Sequence, residues 1–290
     1  MTDLADKHDT SERAAARALA ESLATARVAA LVGADDLDGP DPTEDYHEAS
    51  RIYPGCADPH VTGAQRLETS LELRVSATRS VKRHPHLPCV PLPPAELGTM
   101  SLAEALATRR SRRTFGDRPL TVIELATLLH AAYGVSGDLA GTPQLLRTAP
   151  SGGALYPLEL YLLPRRVAGL EASLYHYDPL RHALERLGPL PIVMGSDLSP
   201  YGDLLDGCGA VIAITAMFWR SRFKYGHRAY RFTLLEAGHV AQNALLAAAS
   251  LGLAAVPLGG FYDRKVDALL GVDGLQEAAL YLLPIGSAAG

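Results

Sequence analysis

The stretch RTAPSGGALYPLELYLLP, residues 147–164, carries the clearest structural signal in this 290-residue chain. It breaks off a helical pattern, forms a Ser-Gly-Gly-Ala turn and enters an apolar run, LELYLLP, with the length and composition of a buried strand. Glycine has no Cβ, so such a turn lets the backbone approach a flat ring closely and offer its amides to ring oxygens. The same turn would also serve as a plain junction between a helix and a strand.

Helix and strand signals on both sides of this stretch predict an α+β fold. Upstream, SLAEALATRRS begins with Ser101 and has Glu104 three residues later, the signature of a capping box, and TVIELATLLHAAYG keeps helical spacing up to Gly134. The strands and the long helix expected downstream are SLYHYDP (173–179), HALERLG (182–188), AVIAITAMF (210–218), the helix YRFTLLEAGHVAQNALLAAASLGL (230–253) and the last strand EAALYLLPIG (277–286). This order predicts helices packed on a mainly antiparallel sheet.

Composition limits the class of protein. With 48% hydrophobic and 20% charged residues the chain has ordinary globular usage, and its net charge of -5 argues against a nucleic-acid or anionic-membrane binder. Three cysteines without CxxC spacing suggest neither a disulfide framework nor a zinc ribbon, and no apolar signal segment opens the chain. We therefore expect a cytoplasmic protein whose partners are small molecules or proteins.

The composition shifts near residue 99. Residues 1–98 contain proline- and charge-rich interruptions and are expected to form a partly irregular extension, which could dock a peptide or lengthen a dimer interface. Residues 99–290 are expected to form the main domain.

Generic motifs do not explain the chain. Gly207 and Gly209 precede a strand, whereas a dinucleotide-binding loop places its glycines after one, and Ser151 has Ala149 where a nucleophile elbow needs glycine. His84, His86 and Cys89 are potential metal ligands, but they lie among prolines with no further ligand nearby. We therefore predict no metal site here and expect these residues in a surface loop.

Three other segments could carry chemistry. TRRSRRTF, residues 108–115, packs four arginines around Ser111 at the end of a helix, where guanidinium groups could hold a phosphate or simply complement the helix dipole. VPLGGF, residues 256–261, is a second bare turn after a strand. RSRFKYGHRAYRF, residues 220–232, is either a source of a catalytic base or a basic surface loop before the long helix.

Together these segments resemble the FMN-dependent nitroreductase family, specifically its SagB-type branch of azoline dehydrogenases. The resemblance covers residues 99–290 through RRSRRTF, APSGGALYPLELYL, GLEASLYHYDP, FKYGHRAYRFTLLEAGHVAQNALLAAASLGL and LGGF, and DYHEASRIYPG at 45–55 resembles the N-terminal block of that branch. It implies an intertwined homodimer with FMN at the subunit interface. Many nitroreductases carry a further basic segment at the C-terminal end, which this sequence does not show.

By position, the resemblance implies three groups of FMN-binding residues and a catalytic pair. The phosphate and ribityl chain would be held by the basic segment, the isoalloxazine would lie against the Pro-Ser loop, and the Gly-Gly turn would donate an amide near flavin N5. These groups are Arg109, Arg110, Ser111 and Arg113, then Pro150, Ser151, Gly152 and Gly153, then Leu258, Gly259 and Gly260, with Lys224 and Tyr225 as the catalytic pair.

Polar residues of the long helix are expected to have structural roles. Glu236, Gln242 and Asn243 are interpreted as polar contacts across the dimer. His239 stands alone among alanines and is expected to be satisfied in the core rather than catalytic.

The branch implies a substrate and partners. The substrate would be a thiazoline or oxazoline in a ribosomal or carrier-bound peptide, oxidised to the azole by loss of a proton to a base and of a hydride to FMN. A cyclodehydratase complex would be a further partner. Two alternatives remain, an NAD(P)H-dependent reductase of nitro, quinone or enoate compounds and a non-catalytic scaffold in a peptide-modifying complex.

Overall fold

A computed structural model describes residues 42–51, 62–191 and 193–289 of the protein. The chain forms two units, residues 1–56 and 57–290. In the first unit the described part holds helix α1 (Pro42–Ala49), which covers the start of the DYHEASRIYPG block. The end of that block, residues 52–55, lies outside the described residues.

The second unit contains both helices and strands. Its helices are α2 (Thr62–Thr69), α3 (Leu71–Thr78), α4 (Leu102–Thr108), α5 (Val122–Tyr133), α6 (Gly195–Leu198), α7 (Gly202–Gly207), α8 (Trp219–Tyr225), α9 (Arg228–Ser250) and α10 (Asp263–Leu270). Its strands are β1 (Cys89–Pro91), β2 (Leu120–Thr121), β3 (Val135–Asp138), β4 (Leu145–Arg147), β5 (Leu158–Pro164), β6 (Val167–Ala168), β7 (Ser173–Asp178), β8 (Ala183–Pro189), β9 (Ala210–Met217), β10 (Leu253–Ala255) and β11 (Glu277–Ser287).

A seven-stranded sheet in the order β1-β8-β7-β5-β9-β11-β10 forms the centre of this unit. Every neighbouring pair in it is antiparallel. Two small pairs stand apart, β2 with β6 in parallel and β3 with β4 antiparallel. The expectation of an α+β fold built on a mainly antiparallel sheet is confirmed.

Strand β5 is the middle strand of the sheet and is packed on both faces. Leu158, Leu160 and Leu162 point to one face and join the core formed with α5 and α9, while Tyr161 and Leu163 join a second core on the opposite face. Side chains of α6, α7 and α10 complete that second core. The sheet is therefore covered on both faces, and the loop that precedes β5 is held by a rigid, buried strand.

The capping signals place two helices, α4 and α5. The Ser101 hydroxyl accepts a hydrogen bond from the Glu104 amide at the start of α4. At α5 the capping box is complete, since Thr121 and Glu124 bond each other's backbone amides.

The structure differs from the sequence-based prediction at several elements. The Ser-Gly-Gly turn joins two strands, β4 and β5, rather than a helix and a strand. The basic segment at 220–232 forms helix α8 and the start of α9 rather than a loop, and α10 has no counterpart in the prediction. Strand β1 belongs to the sheet although it precedes residue 99, while the domain boundary at that residue stays a prediction.

The long uncharged run at 244–262 is divided between the end of α9, strand β10 and a turn. None of the helices in the described ranges combines the length and the apolar character that a membrane crossing needs.

Candidate active site

The loop between β4 and β5 contacts the Lys-Tyr pair. Gly153 has a positive φ of 67°, and a Cβ placed on it would lie 2.6 Å from Lys224 Nζ and 2.8 Å from the Tyr225 hydroxyl. Glycine suits this position, because a side chain here would be strained by the positive φ and would displace the ends of both functional side chains. Two segments that are distant in sequence are thus brought together at one point.

An aromatic pair completes this contact. A Cβ on Gly152 would lie 3.6 Å from ring atoms of both Tyr225 and Phe232, and these two rings meet edge to face with centroids 5.0 Å apart. Lys224 Nζ lies 4.9 Å from the centroid of the Tyr225 ring. Because Lys224 and Tyr225 are half-buried, the amine and the phenol are fixed in place while remaining reachable. We call Gly152, Gly153, Lys224 and Tyr225 the Lys-Tyr site.

Helix α8 carries the Lys-Tyr pair and is held at two places. Arg220 forms an ion pair of 2.5 Å with the buried Glu159 on β5 and donates to the Tyr156 carbonyl. Helix α2 packs on α8 so closely that a Cβ on Gly63 would overlap the carbonyl oxygen of Phe223. These contacts fix the position of α8 and hence of Lys224.

A buried polar cluster lies beneath the loop. Arg147 stacks between Tyr133 and Tyr156, with its guanidinium carbon 4.3 Å and 4.6 Å from the two ring centroids. One of its nitrogens donates to the Ser80 carbonyl, while Nε and Nη1 are buried without a partner among the described residues. The Tyr133 hydroxyl donates to Glu236 at 2.6 Å.

Glu236 holds a proton more tightly than an ordinary carboxyl group. Burial raises the pKa of Glu236 to about 7, against the opposing effects of the Ser151 and Tyr133 hydroxyls and the Arg147 charge. The Ser151 hydroxyl also accepts a hydrogen bond from the Tyr156 amide, so it ties the loop to this cluster.

The polar residues of α9 differ from expectation. Glu236 bonds within its own chain, and Asn243 donates to the Thr148 carbonyl of its own chain at 3.3 Å, because the loop before β5 packs directly on α9. These bonds therefore need no second copy of the chain. Gln242 is exposed. The expected core position of His239 is wrong, since its side chain lies on the exposed face of the helix.

The arginine segment follows α4 as an extended strip. The Arg112 amide donates to the Ala255 carbonyl of β10, and the Gly116 amide donates to the Ser287 carbonyl of β11. Arg110 bonds the carbonyls of Ala107 and Arg109. Among the described residues the guanidinium groups of three arginines have neither a hydrogen bond nor an ion pair, namely those of Arg109, Arg112 and Arg113.

Positive charge lies beside a small cavity here. Arg109 is half-buried, whereas Arg112 and Arg113 are exposed. Arg109, Arg110 and Arg112 line a cavity of about 190 Å³ together with the end of α9 and strand β10. Ser111, which lies between them, is half-buried. The segment therefore offers unpaired guanidinium groups of the kind that a phosphate site requires.

The Gly-Gly turn follows β10 directly. Leu258 is buried and exchanges two backbone hydrogen bonds with Leu282 of β11. The exposed Gly259 and Gly260 amides donate to no acceptor among the described residues, while the Gly260 carbonyl accepts from the Ser199 hydroxyl. Two amides in the turn after β10 are thus available to a ligand.

The candidate residues form two groups rather than one. The Lys-Tyr site lies near Phe232 at the start of α9, whereas the arginine cavity lies against Ala248 near its end. At a rise of about 1.5 Å per residue, Phe232 and Ala248 are about 24 Å apart along the helix. No hydrogen bond or ion pair joins the two groups within the described ranges.

The histidines expected in a surface loop have different surroundings. His86 and Cys89 are exposed, but His84 is half-buried against His176, with the two ring centroids 5.6 Å apart. His84, His176 and Glu185 bring potential metal-ligating atoms within 4.8 Å of one another. The expectation of a surface position is wrong for His84, because the chain before β1 packs on the sheet.

His176 and Glu185 of that cluster belong to a buried charge network. His176 is fully buried between Glu159 and Glu185, at 2.7 Å and 3.1 Å. Burial alone would lower the pKa of His176, but the two carboxylates outweigh it and raise the pKa to about 9. Burial would also raise the pKa of Glu159, yet Arg220 and His176 lower it to about 2. The charged ring thus joins β5, β7 and β8.

Sequence reasoning missed the polar cluster beneath the loop. Tyr133, Arg147 and Tyr156 occur in apolar or loop-like segments, where no spacing rule predicts that they meet. Positive φ angles at Ala154 and Tyr156 shape this part of the loop, and they too have no signature in the sequence.

Comparisons with known proteins identify a family for the chain. Residues 106–287 match the model of the nitroreductase family. Over 192 residues the chain is 36% identical to a Methanocaldococcus jannaschii protein, MJ1384, that is provisionally named a nitroreductase, and the match covers 66% of this chain and 93% of that protein.

Two further similarities concern peptide processing. The chain is 34% identical over 145 residues to the microcin B17-processing protein McbC of Escherichia coli, covering 46% of this chain and 52% of McbC. A chain in the structure of the E. coli microcin synthetase McbBCD complex with truncated pro-MccB17 bound matches with a TM-score of 0.52 and 23% identity, covering 85% of this chain and 87% of that one. The structural match concerns the fold.

Proposed function

The chain belongs to the nitroreductase family, and we propose that it is an FMN-dependent dehydrogenase that oxidises peptide thiazolines or oxazolines to azoles. One observation carries the proposal. Lys224 Nζ and the Tyr225 hydroxyl meet at the side of Gly153 where a side chain would stand, so a base and a phenol face the candidate flavin loop. The similarity to McbC, a microcin B17-processing protein, supports a peptide substrate.

The residues present fit FMN. Arg109, Ser111 and Arg113 would hold its phosphate and ribityl chain, because their segment carries guanidinium groups without a partner among the described residues. The free amides of Gly259 and Gly260 would face the ring edge. Pro150, Ser151 and Gly152 would lie against the ring plane, where the lack of a large side chain permits close approach.

The reaction assigns separate roles to these residues. The ring proton of an azoline next to its carbonyl group is acidic, and Lys224 would take it while Tyr225 orients the ring. Bound FMN would supply the acceptor for the hydride that leaves the neighbouring ring carbon, with oxygen as the final oxidant. The substrate thereby loses a proton and a hydride, which is the two-electron oxidation to the aromatic azole.

A second copy of the chain would complete the site. The two groups of candidate residues lie about 24 Å apart along α9, so one flavin would not contact both groups of a single chain. The part of α9 between them exposes Leu234 and Leu235, and the neighbouring α4 exposes Leu102 and Leu106. We therefore place these apolar faces in a homodimer in which each flavin contacts the arginine segment of one copy and the Lys-Tyr site of the other.

The proposed substrate is a peptide, and the proposed setting is a peptide-modifying complex that includes a cyclodehydratase. The McbBCD complex, whose structure contains a truncated pro-peptide, supports this setting by analogy of fold. A reductase of nitro or quinone compounds is the second candidate, because the match to MJ1384 covers nearly the whole of that protein.

An anaerobic flavin spectrum separates the two candidates. The FMN-loaded protein is mixed either with an azoline-bearing peptide or with NADPH, and the oxidised flavin band is followed. We expect the azoline alone to bleach the band. Rapid bleaching by NADPH without any response to the azoline would instead establish the reductase.

A further inference from the structure

A small polar cavity adjoins the Lys-Tyr site. It measures about 180 Å³, and its lining includes Glu68, Arg74, Thr78, Gln144, Gly153 and Lys224. Helices α2 and α3 form one wall, and these helices precede the residues that match the family model. The cavity therefore adds to the site a surface that the family match does not include.

Most polar groups of this wall are already bonded. One Arg74 nitrogen donates to the carbonyls of Leu67 and Glu68, which closes the end of α2. The Thr78 hydroxyl donates to the Val75 carbonyl and accepts from the Leu145 amide. These bonds fix the wall, so it does not need a ligand to hold its shape.

Gln144, which lines the cavity from the segment before β4, differs from these groups. It is only 9% exposed, yet its carboxamide has no hydrogen-bond partner among the described residues. Its backbone is bonded, since the carbonyl accepts from the Leu139 amide. Its polar atoms keep some exposure to solvent, so they are free to pair with a ligand in the cavity.

The chemistry of a carboxamide defines the complement. It offers one acceptor oxygen and two donor hydrogens, and a peptide group offers a donor N–H and an acceptor C=O. Lys224 lines the same cavity, so a ligand bound to Gln144 would lie next to the base. Simple nitroaromatic and quinone substrates have no N–H to donate to Gln144.

From this juxtaposition we propose that Gln144 and the wall formed by α2 and α3 bind the peptide group that adjoins the azoline ring. This inference rests on the proposed function and deepens it, because it explains how a peptide substrate is distinguished from a small oxidised ring. Gln144 is then a specificity-determining residue that positions the ring beside Lys224.

The test measures binding and turnover of an azoline-bearing peptide by the FMN-loaded protein. Gln144→Leu keeps the size of the side chain and removes its hydrogen bonds, so Kd and KM should rise by about 10- to 100-fold. Gln65→Leu, an exposed position on α2 outside the cavity, is the matched control and should bind like the wild type. A peptide methylated at the nitrogen next to the ring should bind the wild type about tenfold more weakly, with no further loss in Gln144→Leu.

The outcomes separate the two proposals. Equal Kd values for wild type and Gln144→Leu overturn the role of Gln144, even if the wild type oxidises the azoline. If the wild type oxidises no azoline, the proposed function fails, and the Kd difference for the same peptide still decides whether Gln144 binds it. The FMN content of Gln144→Leu shows whether this variant is folded. Gln144→Glu keeps a hydrogen-bond acceptor, so it should bind the peptide more tightly than Gln144→Leu does.

Discussion

Arg109 and Arg110 are neighbours in sequence, but their guanidinium groups have different surroundings. Arg110 bonds two carbonyls at the end of α4, whereas Arg109 has no partner among the described residues. Arg109→Ala should therefore weaken FMN binding by about 10- to 100-fold, the effect of one charge-assisted contact. Arg110→Ala is the control and should bind FMN more tightly than Arg109→Ala does in a flavin fluorescence titration. Equal affinities would remove Arg109 from the phosphate site.

Glu236 makes stability depend on pH. Its pKa of about 7 in the folded protein exceeds that of an unfolded glutamate, so its contribution to stability is fully present below about pH 4.5 and is lost as the pH rises through 7. Glu236→Gln, which mimics the protonated group, should lose less stability than the wild type between about pH 4.5 and 7.5. The difference should be about 3 kcal/mol across that window.

The measurement is urea unfolding of both proteins at several pH values. Parallel stability curves across the window would show that folding does not raise the pKa of Glu236. The comparison with Glu236→Gln isolates this carboxyl group, since all other titrating groups are shared by the two proteins.

The loop before β5 is the element whose geometry matters most. Gly153→Ala places a Cβ where Lys224 Nζ and the Tyr225 hydroxyl now lie and forces a positive φ on alanine, so azoline oxidation should fall by at least about tenfold. Gly188→Ala on β8 is the matched control, because its Cβ would meet no atom within 4 Å and the position lies outside the proposed site. Steady-state turnover of both variants, with FMN content measured alongside, tests this difference. Equal turnover would separate the loop from the catalytic pair.

The elements that the sequence predicts correctly are those with regular periodicity. Strand β5, strand β9 and helix α9 have long apolar patterns, and the caps at Ser101 and Thr121 mark where α4 and α5 begin. Helix α8 has a mixed, basic composition without a clear period, so its sequence fits a loop equally well. The sequence before the Ser-Gly-Gly turn resembles a helix end because three residues of β4 are too few to show alternation.

The residue types of the site can be predicted from the sequence, but its contacts cannot. Glycine pairs and arginine clusters can be recognised along the chain, whereas the meeting of Gly153 with Lys224 depends on how α8 packs on β5 through Arg220 and Glu159. The polar cluster around Arg147 and the cavity at Gln144 also arise from tertiary packing. No local pattern encodes them.

For the assembled protein, the two separated groups of residues make a definite prediction. If each flavin contacts the arginines of one copy and Lys224 of the other, mixing two inactive variants restores one intact site in each mixed dimer. An Arg109→Ala, Arg113→Ala double variant and Lys224→Ala, refolded together at limiting FMN, should recover about a quarter of the wild-type rate. No recovery, with mixed dimers confirmed by mass, would place both groups in the site of a single chain.

The proposed function depends most on one claim, that Lys224 is the base in azoline oxidation. The most direct measurement is an anaerobic single turnover, in which the FMN-loaded protein is mixed with an azoline-bearing peptide and the loss of the oxidised flavin band is timed. We expect Lys224→Ala to retain FMN but to bleach roughly a hundredfold more slowly than the wild type, the usual effect of a lost general base. Lys265→Ala, an exposed lysine on α10, should behave like the wild type. Equal bleaching rates for Lys224→Ala and the wild type would show that Lys224 is not the base.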